Sequence, residues 1–108
     1  MMKNNVSKYK AIRTEIDGKK FDSLKEARRY KELKLLERAG VIKNLRTQVP
    51  YEIIPASKYG RAVKYYADFV YEENGETIVE DTKGYRTDLY KIKKRLMAEV
   101  FEIEIKET

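Results

Sequence analysis

The sequence predicts an α/β fold in the order helix, three strands, helix, strand, with helices packed on a mixed sheet as a two- or three-layer sandwich. The first helix is indicated by a capping box, in which Ser23 is followed three residues later by Glu26. The central strands are indicated by Asn74-Gly75, the strongest short signal for a two-residue hairpin turn, between two strand-like segments. The second helix follows Thr87 or Asp88, either of which is a suitable N-cap.

The boundaries of the first elements follow from turn residues and hydrophobic spacing. The first helix should run to about Ala39 and stop at Gly40, a typical residue after a helix. A strand should follow over 45–54, bent or ended near Pro50, because proline donates no hydrogen bond to a sheet. A loop over 55–61 then leads to the central hairpin.

The two ends of the chain carry weaker signals. Residues 1–9 are polar and basic, and we expect them to be flexible. Asp17-Gly18 lies between apolar residues and predicts a small hairpin over 14–21 or a tight lead-in to the first helix. The second helix should run to about Ala98, and alternation over 101–106 predicts a last strand at the edge of the sheet.

The central hairpin brings acidic residues together. If Asn74-Gly75 is a two-residue loop, Asp68 lies directly opposite Asp81, with Cβ atoms about 5 Å apart. Alternation along the strand places Lys83 on the same face as Asp81. A three-residue loop with a bulge would instead set Asp68 opposite Glu80.

The paired carboxylates need a compensating charge. Tyr66 and Val70 lie on the same face as Asp68, so this carboxylate should be partly withdrawn from water. Such a pair needs a proton or a cation, and Mg²⁺ favours one or two carboxylates together with water and phosphate. The alternative is a solvated hairpin face on which Lys83 neutralises one aspartate.

Two further polar residues lie on neighbouring elements. Glu26 shares a helical face with Tyr30 and Leu33, at spacings of four and seven residues, so it lies beside apolar residues. Glu26 is either the reciprocal partner in the capping box or a member of the carboxylate site, and the two roles are compatible. Gln48 falls on the face of its strand opposite the apolar residues.

Composition limits the chemistry. The length of 108 residues suits a single domain spanning 1–108. The chain contains no Cys and no His, which excludes disulfides, thiol nucleophiles, Cys/His zinc sites and imidazole catalysis. No apolar run is long enough for a membrane span and no signal peptide is evident, so we expect a cytoplasmic protein with no membrane partner.

The charge balance favours nucleic acid as a partner. The net charge is +6, and nine tyrosines accompany the basic residues, which suits contacts with phosphates, sugars and bases. The alternative is that the charge serves only solubility. The candidates for DNA contacts are Lys58, Arg61, Arg86, Lys91 and Lys94.

The order of these motifs resembles the PD-(D/E)XK nuclease superfamily. The resemblance rests on Glu26 in a helix, then Asp68, a hairpin, and Asp81-Thr82-Lys83. Within that superfamily, the segments KKFDSLKEARRYKELKLLERAGVIKNLRTQVPYEI, YYADFVY and VEDTKGYRT resemble a family of small phage-encoded proteins long catalogued as a domain of unknown function. Its relatives include transposon end-cleaving endonuclease subunits and archaeal-type Holliday-junction resolvases. Asp68 follows Ala67 where the superfamily motif has proline.

The resemblance implies a restriction-endonuclease-like αβββαβ core with a mixed sheet flanked by helices. It implies that Asp68, Asp81 and the Thr82 carbonyl bind Mg²⁺ or Mn²⁺, with Glu26 completing the metal or water site. Lys83 would orient the attacking water and stabilise charge on the phosphorane. Gln48 and Glu80 are possible accessory residues.

The resemblance therefore implies a metal-dependent DNA endonuclease, of which a structure-specific form would cut branched DNA or Holliday junctions in phage replication or recombination. The expected partners are DNA, a second copy of the chain if both strands are cut, and a phage replication or recombination protein. The location would then be the bacterial host cytoplasm. The alternatives are a non-catalytic nucleic-acid-binding module and a nuclease subunit active only within a larger complex.

Overall fold

The computed structural model describes residues 14–108, so the predicted flexible segment 1–9 lies outside the described residues. The elements in chain order are β1 (Thr14–Ile16), β2 (Lys19–Phe21), α1 (Leu24–Arg38), β3 (Lys43–Ile54), β4 (Val63–Glu73), β5 (Glu76–Asp81), α2 (Asp88–Phe101) and β6 (Lys106–Glu107).

The main sheet has four strands in the order β3-β4-β5-β6. The first three strands are antiparallel neighbours, and β6 pairs in parallel with β5, so the sheet is mixed. The predicted order of helix, three strands, helix and strand is confirmed, as is the mixed sheet flanked by two helices. The small hairpin β1–β2 precedes this core and turns at Asp17-Gly18, where both residues have positive φ. Within residues 14–108, neither helix is long and apolar enough to cross a bilayer.

The register of the β4–β5 hairpin agrees with the prediction. Asn74 and Gly75 both adopt positive φ, as a two-residue turn requires, and Glu73 faces Glu76. The ladder continues without a shift to the pair Phe69 and Glu80. The next step along this register brings Asp68 beside Asp81, and the bulged alternative with Asp68 opposite Glu80 is wrong.

Helix α1 has the predicted ends. Ser23 is the N-cap, and its side chain accepts a hydrogen bond from the amide of Glu26. Gly40 follows the helix with φ +81°, a conformation that costs glycine no steric strain. This cap fixes the first turn of α1, and therefore the position of Glu26, against the sheet.

Three boundaries differ from the prediction. Strand β3 continues through Pro50 to Ile54, because β3 is an edge strand and an edge tolerates the missing donor. Strand β5 ends at Asp81, so Thr82 and Lys83 follow the strand. The region predicted as a strand over 101–106 is mostly not one.

The C-terminal region shows why that prediction fails. Helix α2 extends to Phe101 and ends at Glu102, which adopts the left-handed conformation. The amides of Glu102 and Ile103 donate to the carbonyls of Ala98 and Met97, a pair of helix-terminating hydrogen bonds. Only Lys106–Glu107 forms the parallel edge strand β6.

Two apolar clusters lie against the sheet, one containing residues of α1 and the other residues of α2. In β4, Ala67 belongs to the α2 cluster, whereas Phe69, two residues later, belongs to the α1 cluster. In β3, Leu45 packs with the α1 cluster, and Val49 packs with the α2 cluster. In both strands, therefore, side chains that should share one face of the sheet pack with the α2 cluster at one point and with the α1 cluster a few residues away. This exchange of core-facing sides breaks the regular alternation assumed from the sequence.

Candidate active site

Gln48 lies in β3 where the sheet exchanges its core-facing sides. It adopts φ +52°, a conformation uncommon for a residue with a side chain, and it is exposed. Its Nε2 atom donates to Glu26 Oε2 at 3.3 Å and to Asp68 Oδ1 at 3.2 Å. One amide therefore connects α1, β3 and β4, and brings two candidate site carboxylates together.

Asp81, at the end of β5, is the most deeply buried acid of this group, with 0% of its surface exposed. Its Oδ2 atom accepts a hydrogen bond from the Tyr65 hydroxyl at 2.5 Å. Its Oδ1 atom is buried and has no hydrogen-bond partner within residues 14–108. Lys83 Nζ lies 3.3 Å from this oxygen, without hydrogen-bond geometry. A buried carboxylate oxygen in this condition is available to a cation, or to a proton shared with Asp68, whose pKa is raised in part by a hydrogen bond with Asp81.

Asp68 is half-buried and lies beside Asp81. Its Oδ2 atom accepts a hydrogen bond from the backbone amide of Thr82 at 2.9 Å, and its Oδ1 atom accepts one from the Gln48 side chain. Burial raises the pKa of Asp68 to about 8, and the neighbouring carboxyls of Asp81 and Glu26 add to the rise. At neutral pH this carboxyl therefore holds a proton readily unless a cation replaces it.

The sequence predicted that Asp68 would be covered by apolar neighbours on both sides. Val70 is fully buried, as expected, but Tyr66 is 52% exposed. The side of the site nearest Tyr66 and Gln48 is therefore open to solvent, which leaves room for a ligand.

Glu26 is buried in the first turn of α1. Among the described residues, its carboxylate accepts a hydrogen bond from Gln48 and none from the backbone of Ser23, so it does not complete a reciprocal capping box. Burial raises its pKa, and Asp22 and Asp81 raise it further. Glu26 therefore joins the carboxylate group through Gln48.

Glu80, the neighbour of Asp81, points to the α1 side of the sheet. It accepts hydrogen bonds from Arg29 at 2.6 and 3.0 Å and from the Tyr71 hydroxyl at 2.6 Å. Burial by itself raises the pKa of Glu80, but the hydrogen bonds from Arg29 and Tyr71 outweigh it, so the pKa is lowered. Glu80 is thus held in a buried ion pair, away from the carboxylates of Asp68 and Asp81.

Lys83 connects the carboxylate group to α2. Its Nζ atom lies 4.5 Å from the centre of the Tyr90 ring, in addition to its contact with Asp81. Its backbone amide donates to the Thr108 carbonyl, and the Thr108 amide donates to the Asp81 carbonyl. The backbone of residues 81–83 is therefore held on both sides by β4 and by the chain that follows β6.

The residues present fit a divalent cation. Asp68 and Asp81 supply two oxygen ligands, one of them the unpaired buried Oδ1 of Asp81. Within residues 14–108, no group of three or more Asp, Glu, His or Cys side chains is arranged to hold a metal ion. Mg²⁺ needs only one or two carboxylates, because it retains several waters. The Thr82 carbonyl stays a predicted ligand, and the amide of the same residue fixes Asp68.

The five candidates for DNA contacts lie in two separate places. Lys58 and Arg61 are exposed in the 55–61 loop, and Lys58 lies 5.2 Å from the centre of the exposed Tyr59 ring. Arg86 and Lys94 form ion pairs with Glu107, at 2.9 and 3.2 Å.

Ion pairs reduce the positive charge that the second group of candidates, Arg86, Lys91 and Lys94, has available for DNA phosphates. Lys91 Nζ lies 4.0 Å from Asp88. The hydrogen bond from Arg86, followed by that from Tyr90, lowers the pKa of Glu107 to about 2. Two of the predicted phosphate contacts are therefore partly neutralised within the chain.

Two residues that position the site were missed from the sequence. Tyr65 donates to Asp81, and Arg29 holds Glu80, the residue before Asp81. A buried tyrosine on a predicted strand needs a partner for its hydroxyl, which is a usable but nonspecific signal. Arg29 follows Glu26 by three residues on α1 and gave no signal, since many exposed helical arginines occur at such spacings.

The comparisons with known proteins are limited to one family. A family model described as "Protein of unknown function (DUF1064)" matches residues 6–108. No curated protein and no solved structure matches the chain. The match covers nearly the whole chain and confirms the expected domain-of-unknown-function family. The chain belongs to the family described as "Protein of unknown function (DUF1064)".

Proposed function

We propose that this protein is a metal-dependent DNA endonuclease. The observation that carries the proposal is the buried Oδ1 of Asp81, which has no hydrogen-bond partner among residues 14–108 and lies beside both Asp68 and Lys83. Two carboxylates and a lysine on one open-sided patch supply the charges that phosphodiester hydrolysis requires. The PD-(D/E)XK resemblance of the same residues supports this interpretation.

In this proposal Asp68 and Asp81 hold Mg²⁺ or Mn²⁺. The bound cation would lower the pKa of a coordinated water and stabilise negative charge on the phosphate oxygens. The Tyr65 hydroxyl holds Asp81 by its Oδ2 atom, so Oδ1 would be the oxygen that binds the cation. The Thr82 amide and Gln48 fix the two oxygens of Asp68 in the same way.

Lys83 would act on the phosphate and on the attacking water. Its ammonium lies against the Tyr90 ring and near Asp81, so it is held at the edge of the carboxylate group. A compact cation placed there can orient a water molecule and stabilise charge that develops in the transition state. Glu26, linked through Gln48, would complete the set by accepting a hydrogen bond from a water.

DNA would be bound chiefly through phosphates. The chain carries a net charge of +6, and the exposed loop 55–61 adds Lys58 and Arg61 beside Tyr59. Specificity would come from DNA shape, from a second copy of the chain, or from a partner protein.

The experiment is a cleavage assay with plasmid, single-stranded, flapped and four-way DNA in Mg²⁺, in Mn²⁺ and in EDTA. We expect cleavage with either metal and none in EDTA. Asp81→Asn and Lys83→Met should each reduce the rate by about 100-fold or more. Glu76→Gln, which removes an exposed carboxylate from the same strand, is the matched control and should cut like the wild type.

Two results would contradict the proposal. One is cleavage of DNA by a folded Asp81→Asn variant at the wild-type rate. The other is an absence of metal-dependent cleavage of every substrate by the wild type. DNA binding without cleavage would favour the non-catalytic module, and cleavage only after addition of a partner would favour the subunit hypothesis.

A further inference from the structure

A small cavity adjoins the candidate active site on its open side. It has a volume of about 200 Å³, and Lys83 forms part of its wall. Tyr66 and Leu89 line it and are 52% and 60% exposed, so two large apolar side chains face solvent beside a catalytic candidate. Exposed apolar side chains that flank a cavity commonly mark a ligand site. We refer to this cavity as the Tyr66 pocket.

The walls of the Tyr66 pocket are of two kinds. Buried Tyr65 and Tyr90 form its inner side, and their hydroxyls are already held by Asp81 and Glu107. The rings of these two residues are therefore fixed and present carbon surfaces. Tyr66, on the outer side, has no hydroxyl partner within residues 14–108 and can meet a ligand with its ring face.

Two lysines give the Tyr66 pocket a positive charge. Lys83 and Lys93 both line it, and none of the seven lining residues found within 14–108 is acidic, although Lys83 Nζ also lies 3.3 Å from Asp81 Oδ1 outside this lining. A ligand with a flat apolar group and a phosphate matches this combination. A nucleotide has both parts, and its phosphate would lie next to Lys83 when its base lies against Tyr66.

We infer that the Tyr66 pocket binds an unpaired nucleobase adjacent to the scissile phosphate. The inference rests on the proposed nuclease function, and it specifies the substrate as DNA with a single-stranded segment at the cut site. In a continuous duplex the faces of each base are covered by its neighbours. An aromatic side chain reaches a base face only when the base is unstacked.

Binding measured in EDTA tests the inference separately from cleavage. The probes are a fluorescein-labelled duplex with a single-stranded thymidine flap and the fully paired duplex of equal length. Wild type should prefer the flapped DNA. Tyr66→Ala should weaken flap binding by about 5- to 150-fold, the range that corresponds to one lost base–aromatic stacking contact.

Matched variants define the role of the ring. Tyr66→Phe should bind the flap like wild type, because it keeps the ring. Leu89→Ala should weaken flap binding in the same direction as Tyr66→Ala. Leu35→Ala is the control, since Leu35 is an exposed apolar residue of α1 that lies outside the pocket and outside the loop 55–61, and it should leave the preference for the flap unchanged.

The inference is overturned if folded Tyr66→Ala binds the flap as tightly as wild type, or loses the same factor on flap and duplex. Cleavage separates this failure from failure of the proposed function. If Asp81-dependent cleavage is equally fast on both probes for wild type and Tyr66→Ala, the nuclease proposal stands and the inference fails. If the flap preference depends on Tyr66 but no DNA is cut, the nuclease proposal fails and the pocket remains a site for unpaired bases.

Discussion

Asp68→Asn should stabilise the protein in EDTA, and the gain should grow as the pH rises. Burial, together with the carboxyl of Asp81, raises the pKa of Asp68 from 3.8 to about 8. Between these values the folded state binds a proton that the unfolded state has released, so the wild type loses stability as the pH rises from about 4 to about 8. Asparagine does not titrate and avoids this loss.

The size of the effect follows from the shift and from what asparagine gives up. The rise from 3.8 to about 8 corresponds to a ceiling of about 6 kcal/mol, at about 1.4 kcal/mol per pKa unit. Solvent on the open side of the site lowers this figure. Asparagine also loses one of the two hydrogen bonds that Asp68 accepts, at a cost of about 1 kcal/mol. We expect a net gain of about 2 kcal/mol at pH 8.5, with little difference near pH 4.

Urea and thermal unfolding at pH 5 and pH 8.5, both in EDTA, measure this difference. A gain of about 2 kcal/mol corresponds to a rise in Tm of about 8 °C or more for a domain of this size. Glu76→Gln controls for the removal of one negative charge. A shared site for the Asp68 and Asp81 carboxyls is contradicted if Asp68→Asn is less stable than wild type at pH 8.5, or if its gain is equal at the two pH values.

Three further substitutions test the contacts around the site. Arg29→Met should lower the free energy of unfolding by about 3–5 kcal/mol, because it leaves buried Glu80 without its ion-pair partner; urea unfolding should show that the added change Glu80→Leu recovers most of the loss. Tyr65→Phe should cost about 1–3 kcal/mol in the same assay, since Asp81 Oδ2 loses its donor, and an unchanged stability would contradict the hydrogen bond. Glu26→Gln should slow cleavage more than it alters Tm, because glutamine keeps an oxygen for Gln48; full activity would leave Glu26 without a role in the reaction.

Local chemistry explains why part of the site was predictable. The Asn74-Gly75 turn sets the hairpin register by itself, and the register is enough to bring Asp68 beside Asp81. The helix N-cap at Ser23 likewise depends only on neighbouring residues. These features are encoded within a few residues, so the sequence pattern reports them directly.

Contacts between distant segments were not predictable in this way. Gln48 reaches both Glu26 and Asp68 only because β3 adopts a positive φ where two strands exchange their core-facing sides. The Arg29–Glu80 ion pair joins residues 51 positions apart. Strict alternation along a strand, which placed Tyr66 in a buried environment, does not survive at this point of the sheet.

The length of α2 was underestimated for a related reason. Apolar residues over 101–105 fit an edge strand and a continued helix equally well over so short a stretch. Helix α2 ends at Phe101 and not at Ala98, because the chain leaves the helix only at Glu102, which is left-handed. Ile103 and Ile105 then pack with the α2 cluster.

A Mn²⁺ titration followed by electron paramagnetic resonance measures metal binding at Asp68 and Asp81, because free Mn²⁺ gives a signal that is lost on binding. We expect one tightly bound ion per wild-type chain and the same for Glu76→Gln. Asp81→Asn removes the negative charge of the carboxylate that contains the buried Oδ1, so this variant should bind the ion at least about tenfold more weakly. Equal binding by wild type and Asp81→Asn, or no binding by wild type, would contradict a metal site formed by Asp68 and Asp81.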